Sequence, residues 1–160
     1  MSARNSYYVS NRDPLQPTPL IKLPVGSIRP DGWLRVYLER QRGGMTGHLN
    51  TISAWLQKED NAWLSEEGKG KWGWEEVPYW LRGYAHIGYL LQDRAMIDDA
   101  AFWIQVVLNS QRDTGDFGPD HRFADGSRDY WANMVMLYCL QSYYEYTDEP
   151  RVLELMSRNF

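Results

Sequence analysis

The strongest constraint on this chain is one apolar period that keeps returning. Between Glu75 and Leu91, apolar residues fall at Val77, Trp80, Leu81, Tyr84, Ile87 and Leu91. That spacing puts them on one face of a 3.6-residue helix. The pattern recurs from Arg94 to Ser110, through Ile97, Ala100, Ala101, Ile104, Val107 and Leu108. From Asp129 to Tyr146 the apolar residues (Trp131, Met134, Val135, Met136, Leu137, Leu140) point nearly all round, which predicts a deeply buried helix. Gly-rich segments at 60–74 and 111–127 separate these runs. No stretch has convincing strand alternation, so the class is all-α.

Weaker helical signals lie before and after. Pro30 suits a first turn, and Leu34, Tyr37, Leu38 and Gln41 form a stripe that Gly43 and Gly44 end. A second short stretch, about 48–59, puts Ile52, Trp55 and Leu56 on one side. Pro150 suits the first turn of a sixth helix, barely begun at Phe160. Residues 1–29 read as an extended lead-in, because Pro14, Pro17, Pro19 and Pro24 keep their predecessors out of the helical region. Its apolar residues Leu15, Leu20, Ile21, Leu23 and Val25 predict that it lies along the domain. Antiparallel hairpins, with a less apolar helix next to a fully apolar one, suit a toroid of paired inner and outer helices. A four-helix bundle fits the periodicity equally well. Because a finished domain rarely stops a turn or two into an element, residues 30–160 are expected to be an incomplete domain.

Composition excludes several functions. A net charge of −4 gives no basis for polyanion binding, so nucleic acid is a poor partner. No run of about 18 apolar residues predicts a membrane span. The first residues lack a signal-type apolar core, so the expected location is the cytoplasm, or the periplasm or exterior if a leader has been removed. Cys139 is the one cysteine, which precludes an internal disulfide framework and a multi-cysteine metal site. His48, His86 and His121 show no zinc-ligand spacing. Asp113, Asp116 and Asp120 lack the alternation and later Glu of a calcium loop. No cofactor or metal is therefore expected in this chain. The positive signal is aromatic: 14% of residues, including 8 Trp and 11 Tyr, more than a core of this size obviously needs. Flat ring faces pack against the C–H faces of sugars and also fill helical cores.

Three segments hold the informative residues. In Gln111–Pro119 a helix ends in Gln, a glycine follows four residues later, and Phe117 can fold back as a plug between helices. Trp72–Tyr84 packs aromatics around Glu75 and Glu76, which serve either as dipole-stabilising caps or as acceptors for sugar hydroxyls. Arg128–Asn133 opens the apolar fifth helix. There Asp129 suits an N-cap or a cavity wall, and Asn133 must find a partner if buried.

Together these segments, with Leu23–Leu34, Gln41–Leu49, Asn133–Leu137 and Tyr143–Glu145, resemble the bacterial β-L-arabinofuranosidase family, glycoside hydrolase family 127 and its relatives. The likeness is strongest to the branch that degrades plant pectic glycans. It implies a partial (α/α)6 toroid of antiparallel helical hairpins and a retaining exo-glycosidase that removes a terminal arabinofuranose-like sugar. It also implies a zinc-bound cysteine nucleophile and a glutamate acid/base beyond the matched stretch, so no catalytic residue is carried over to this chain. Zinc is then a property of the complete enzyme. Some relatives carry a histidine and a glutamate where this sequence has Arg128 and Asp129, a departure that bears on which sugar is bound. Two other readings stand beside this one: a helical module that binds oligosaccharide without cleaving it, and a structural helical bundle.

The expected partners are an oligosaccharide substrate and the remainder of the catalytic domain, or another chain, over the open helical faces. The candidate sugar contacts are Trp74, Glu75, Glu76, Arg128, Asp129 and Trp131. They sit at the starts of the third and fifth helices, which run the same way because one helix separates them. Arg128 is the one that would meet an acidic substituent.

Overall fold

A computed structural model describes residues 7–160, and the described residues form helices with no strand. They are α1 (Gly32–Gly43), α2 (Met45–Ile52), α3 (Glu76–Leu91), α4 (Arg94–Asn109), α5 (Trp131–Thr147) and α6 (Pro150–Asn159). A 3₁₀ turn, Ala54–Leu56, follows α2.

Local chemistry sets the helix ends. Asp31 and Asp93 accept first-turn amides of α1 and α4 through their carboxylates, and Glu149 does so for α6, where Pro150 opens the helix. Gln92 and Asp148 take left-handed conformations, φ 56° and 57°, that close α3 and α5. The two-residue links after these helices turn the chain straight back into α4 and α6.

The helix α3 packs against both α4 and α5. Its direction relative to α5 follows from three contacts. Glu75 meets Trp131 at the start, His86 meets Ser142 at 2.7 Å midway, and Tyr89 stacks on Tyr146 at 4.2 Å near the end. The two helices therefore run parallel, and their N-termini open at one end. The core between the helices includes Val77, Leu81, Trp103, Ile104, Met136 and Leu140, all essentially inaccessible to solvent.

Three expectations change. The apolar character of α5 does not bury it on all sides: Trp131 is 46% exposed, Met134 46% and Tyr138 48%. Their spacing makes a stripe that stays about half open, although Arg82 of α3 lies over the Tyr138 ring at 4.7 Å. Of the α1 stripe, Leu34 and Tyr37 are exposed and Leu38 packs on the core. The lead-in is attached mainly by polar contacts. Leu15, Leu20, Ile21 and Leu23 are exposed, whereas Glu145, 7% exposed, receives Lys22 at 2.6 Å, the Val25 amide at 2.7 Å and the Tyr8 hydroxyl. Only Val25 among those five apolar residues packs against the core.

Burial alone would raise the Glu145 carboxyl, but the hydrogen bonds from Lys22, Tyr8 and Val25 outweigh it and hold the group below the usual range. A carboxyl lowered on folding contributes stability above its unfolded value, about 4.3, which disappears as pH falls through the lower folded value. His86 is also lowered, first by burial and then by Arg82. Folding therefore weakens as pH falls from about 6.5 through its folded value. The Glu145→Gln variant should release the lead-in, with tryptic cleavage after Lys22 accelerated roughly tenfold, consistent with losing a charged hydrogen bond.

Candidate functional site

The shared end of α3 and α5 is closed by two loops, 57–75 and 110–130. Gly73, at φ 88°, admits the Asn61 side chain, which would lie 2.4 Å from an added Cβ. Asn61 in turn accepts from the Trp63 amide and donates to the Gln57 carbonyl. The Trp63 indole donates to the Trp74 carbonyl at 2.8 Å, so Trp74 is fixed just ahead of α3.

Glu75 and Trp131 come from different helices and meet directly: Trp131 Nε1 donates to Glu75 Oε2 at 2.9 Å. Glu76 lies half-buried in the first turn of α3, with no side-chain hydrogen bond among the described residues. Its charge complements the positive end of that helix.

Asp129 is buried and has two duties. Its Oδ1 accepts from the Trp131 amide at 2.8 Å, so it satisfies a first-turn donor although α5 begins two residues later. Its Oδ2 lies 3.6 Å from His121 Nδ1, beyond hydrogen-bond length but close enough for charge to act. The His121 imidazole stacks on Trp74 with centroids 4.4 Å apart. Sequence reasoning passed over His121 because its partners lie 47 residues upstream and 8 downstream; an isolated histidine in a Gly-rich loop carries no spacing signal. Beside this pair is an open cavity of about 200 Å³, lined by Trp74, His121, Asp120, Lys69 and the glycines 68 and 70.

Arg128 turns inward. Its side chain, 9% exposed, pairs with Asp116 and donates to the Phe117 carbonyl at 3.2 Å and the Pro119 carbonyl at 2.8 Å. Burial, then the nearby Arg112, lowers its pKa. The guanidinium thus ties the loop together and offers a ligand little. Asn133 meets its requirement in part, with Nδ2 donating to the Phe117 carbonyl at 2.6 Å and Oδ1 buried without a partner among the described residues. Phe117 is the plug foreseen, fully buried with its ring 6.4 Å from that of Trp63.

A family model described as "Beta-L-arabinofuranosidase, GH127 catalytic domain" matches residues 22–160. The chain belongs to that family. No curated protein and no solved structure matches it. Membership supports glycoside hydrolase function at the level of the family, and it agrees with the all-α class, since the family's catalytic domain is an α/α toroid.

The Cys139 thiol is buried, donates toward the Pro78 carbonyl at 3.3 Å and is pushed up to about 12 by burial, so it is a neutral packing group. Among the described residues, no three His, Cys, Asp or Glu side chains gather in a way that could hold a metal. No described helix is long and apolar enough to cross a membrane.

The geometry at Asp129 separates capping from other roles. Asp129→Ala should cost about 1 kcal/mol in chemical denaturation, the usual value of a lost first-turn acceptor. Asp129→Asn keeps the Oδ1 acceptor and should melt close to the parent protein.

Proposed function

We propose that this chain is the N-terminal part of a glycoside hydrolase that removes a terminal arabinofuranose-like sugar from plant glycans. On this reading residues 30–160 begin its toroidal catalytic domain, with 1–29 as a lead-in. The shared end of α3 and α5 forms part of the sugar pocket. One observation carries the reading: Glu75 and Trp131, chosen from separate helices, hydrogen-bond across that end at 2.9 Å. An aromatic face beside a carboxylate is the chemistry a polyhydroxylated ring requires.

The six candidate residues divide by role. Trp131, with nearly half its surface open, supplies the ring face. Glu75, Glu76 and Asp129 supply acceptors for hydroxyls. Trp74 and Arg128 hold the surrounding loops, the latter through its inward contacts. The nucleophile and acid/base belong to residues outside this chain, together with any zinc. The exposed stripe of α1, with Met134 and Tyr138 of α5, is the surface that the rest of the domain covers, and Trp131 at the end of the α5 stripe stays open to the pocket.

Two measurements test this. The purified 160-residue chain should not turn over an aryl β-L-arabinofuranoside; measurable turnover refutes the placement of the chemistry elsewhere. In the complete enzyme, Asp129→Asn should lower kcat/KM about tenfold with little change in melting temperature, matching one lost charge-assisted hydrogen bond. Wild-type kinetics for that variant would reduce Asp129 to a cap.

A further inference from the structure

The face of Trp74 that a sugar would use on this side is already occupied by the His121 imidazole, stacked at 4.4 Å. The exposed surface of the stack is therefore the histidine, which is about half open to solvent. We propose that His121, rather than Trp74, is the sugar-facing group here, and that its Nε2 accepts a hydrogen bond from a hydroxyl of a neutral sugar. The proposal rests on the reading of this end as a sugar pocket.

The imidazole is held on three sides. Trp74 covers one face, Phe123 approaches edge-on at 6.5 Å, and Asp129 Oδ2 faces Nδ1 at 3.6 Å. The backbone is fixed as well, because the Asp129 amide donates to the His121 carbonyl at 2.9 Å. That leaves the Nε2 edge, which has no hydrogen-bond partner among the described residues. A carboxylate beside Nδ1 favours the tautomer with its proton there, so the free lone pair is on Nε2. This arrangement resembles a preorganised acceptor, since the ring needs little further ordering to meet a donor.

Charge selects the class of ligand. Glu75, Glu76 and Asp129 place three carboxylates around this end, none with a Lys or Arg partner among the described residues. Arg128 is directed inward, and Arg122 is paired with Asp120 at 3.0 Å. Lys69 is the one Lys or Arg lining the adjoining cavity. An acidic sugar would meet net repulsion, whereas a neutral hydroxyl finds acceptors. The cavity of about 200 Å³ beside the pair leaves room for a single ring.

The test uses the complete enzyme and methyl β-L-arabinofuranoside, with calorimetric titration. His121→Phe preserves a ring on Trp74 and removes both nitrogens; His121→Gln returns an amide near the Nε2 position. The parent sugar should bind His121→Phe roughly threefold to tenfold more weakly, the range of one neutral hydrogen bond, and His121→Gln should recover part of the loss. Wild-type enzyme should also prefer the parent sugar to one of its 2-, 3- or 5-deoxy analogues, and His121→Phe should lose that preference. If His121→Phe binds like wild type while Trp131→Ala weakens binding, the pocket stands and the role of His121 is wrong. If His121→Phe binds weakly yet still rejects every deoxy analogue that the wild type rejects, the residue is structural and the proposal fails. If the wild type does not bind the probe, or none of the rim variants changes binding, the pocket reading fails and the proposal with it.

Discussion

The buried backbone of Phe117 is what the rest of this end depends on. A fully buried ring brings its own amide and carbonyl out of water, and both must find partners. The Asp116 carboxylate accepts from the Phe117 amide at 2.8 Å. The Phe117 carbonyl receives both Asn133 Nδ2 and the Arg128 guanidinium. Gly118, at φ 66°, passes so near Trp63 that an added Cβ would lie 2.4 Å from its ring. One apolar insertion thus ties the 110–130 loop to α5 and to the 57–75 loop. The positions of Asp129 and His121 follow from it.

Much of this was legible in the sequence. The 3.6-residue period marked α3 and α4 to within a residue or two, because their apolar faces meet a described neighbour. Prolines and glycines marked α6 and the end of α1 for local reasons that tertiary context did not disturb. The plug at Phe117 was legible because the glycines around it permit a reversal that a buried ring can use. The candidate rim was legible only as helix starts. That Glu75 and Trp131 touch depends on the relative placement of two helices, which periodicity does not encode.

Other features were illegible for definite physical reasons. In α5, composition marks Trp131, Met134 and Tyr138 as apolar but not which neighbour they face, so the sequence could not tell a buried stripe from an open one. Arg128 read as a ligand contact because a charged residue at a helix start usually faces solvent. Its burial is set by the carbonyls of Phe117 and Pro119, acceptors that every residue type carries. His121 was invisible because stacking on Trp74 is a contact between two loops, and loops have no period. The apolar residues of the lead-in predict hydrophobic packing, but its main anchor is Glu145, the one charged residue of α5.

The Arg128 tie has a consequence for how this loop can diverge. Because it grips main-chain oxygens at 117 and 119, much of its hold is indifferent to the side chains that the loop presents. Exposed neighbouring positions such as His121 and Phe123 can then vary in chemistry while the loop keeps its course. A scaffold of that kind separates inheritance of shape from inheritance of preference: relatives can retain the path of the chain and exchange the groups it displays.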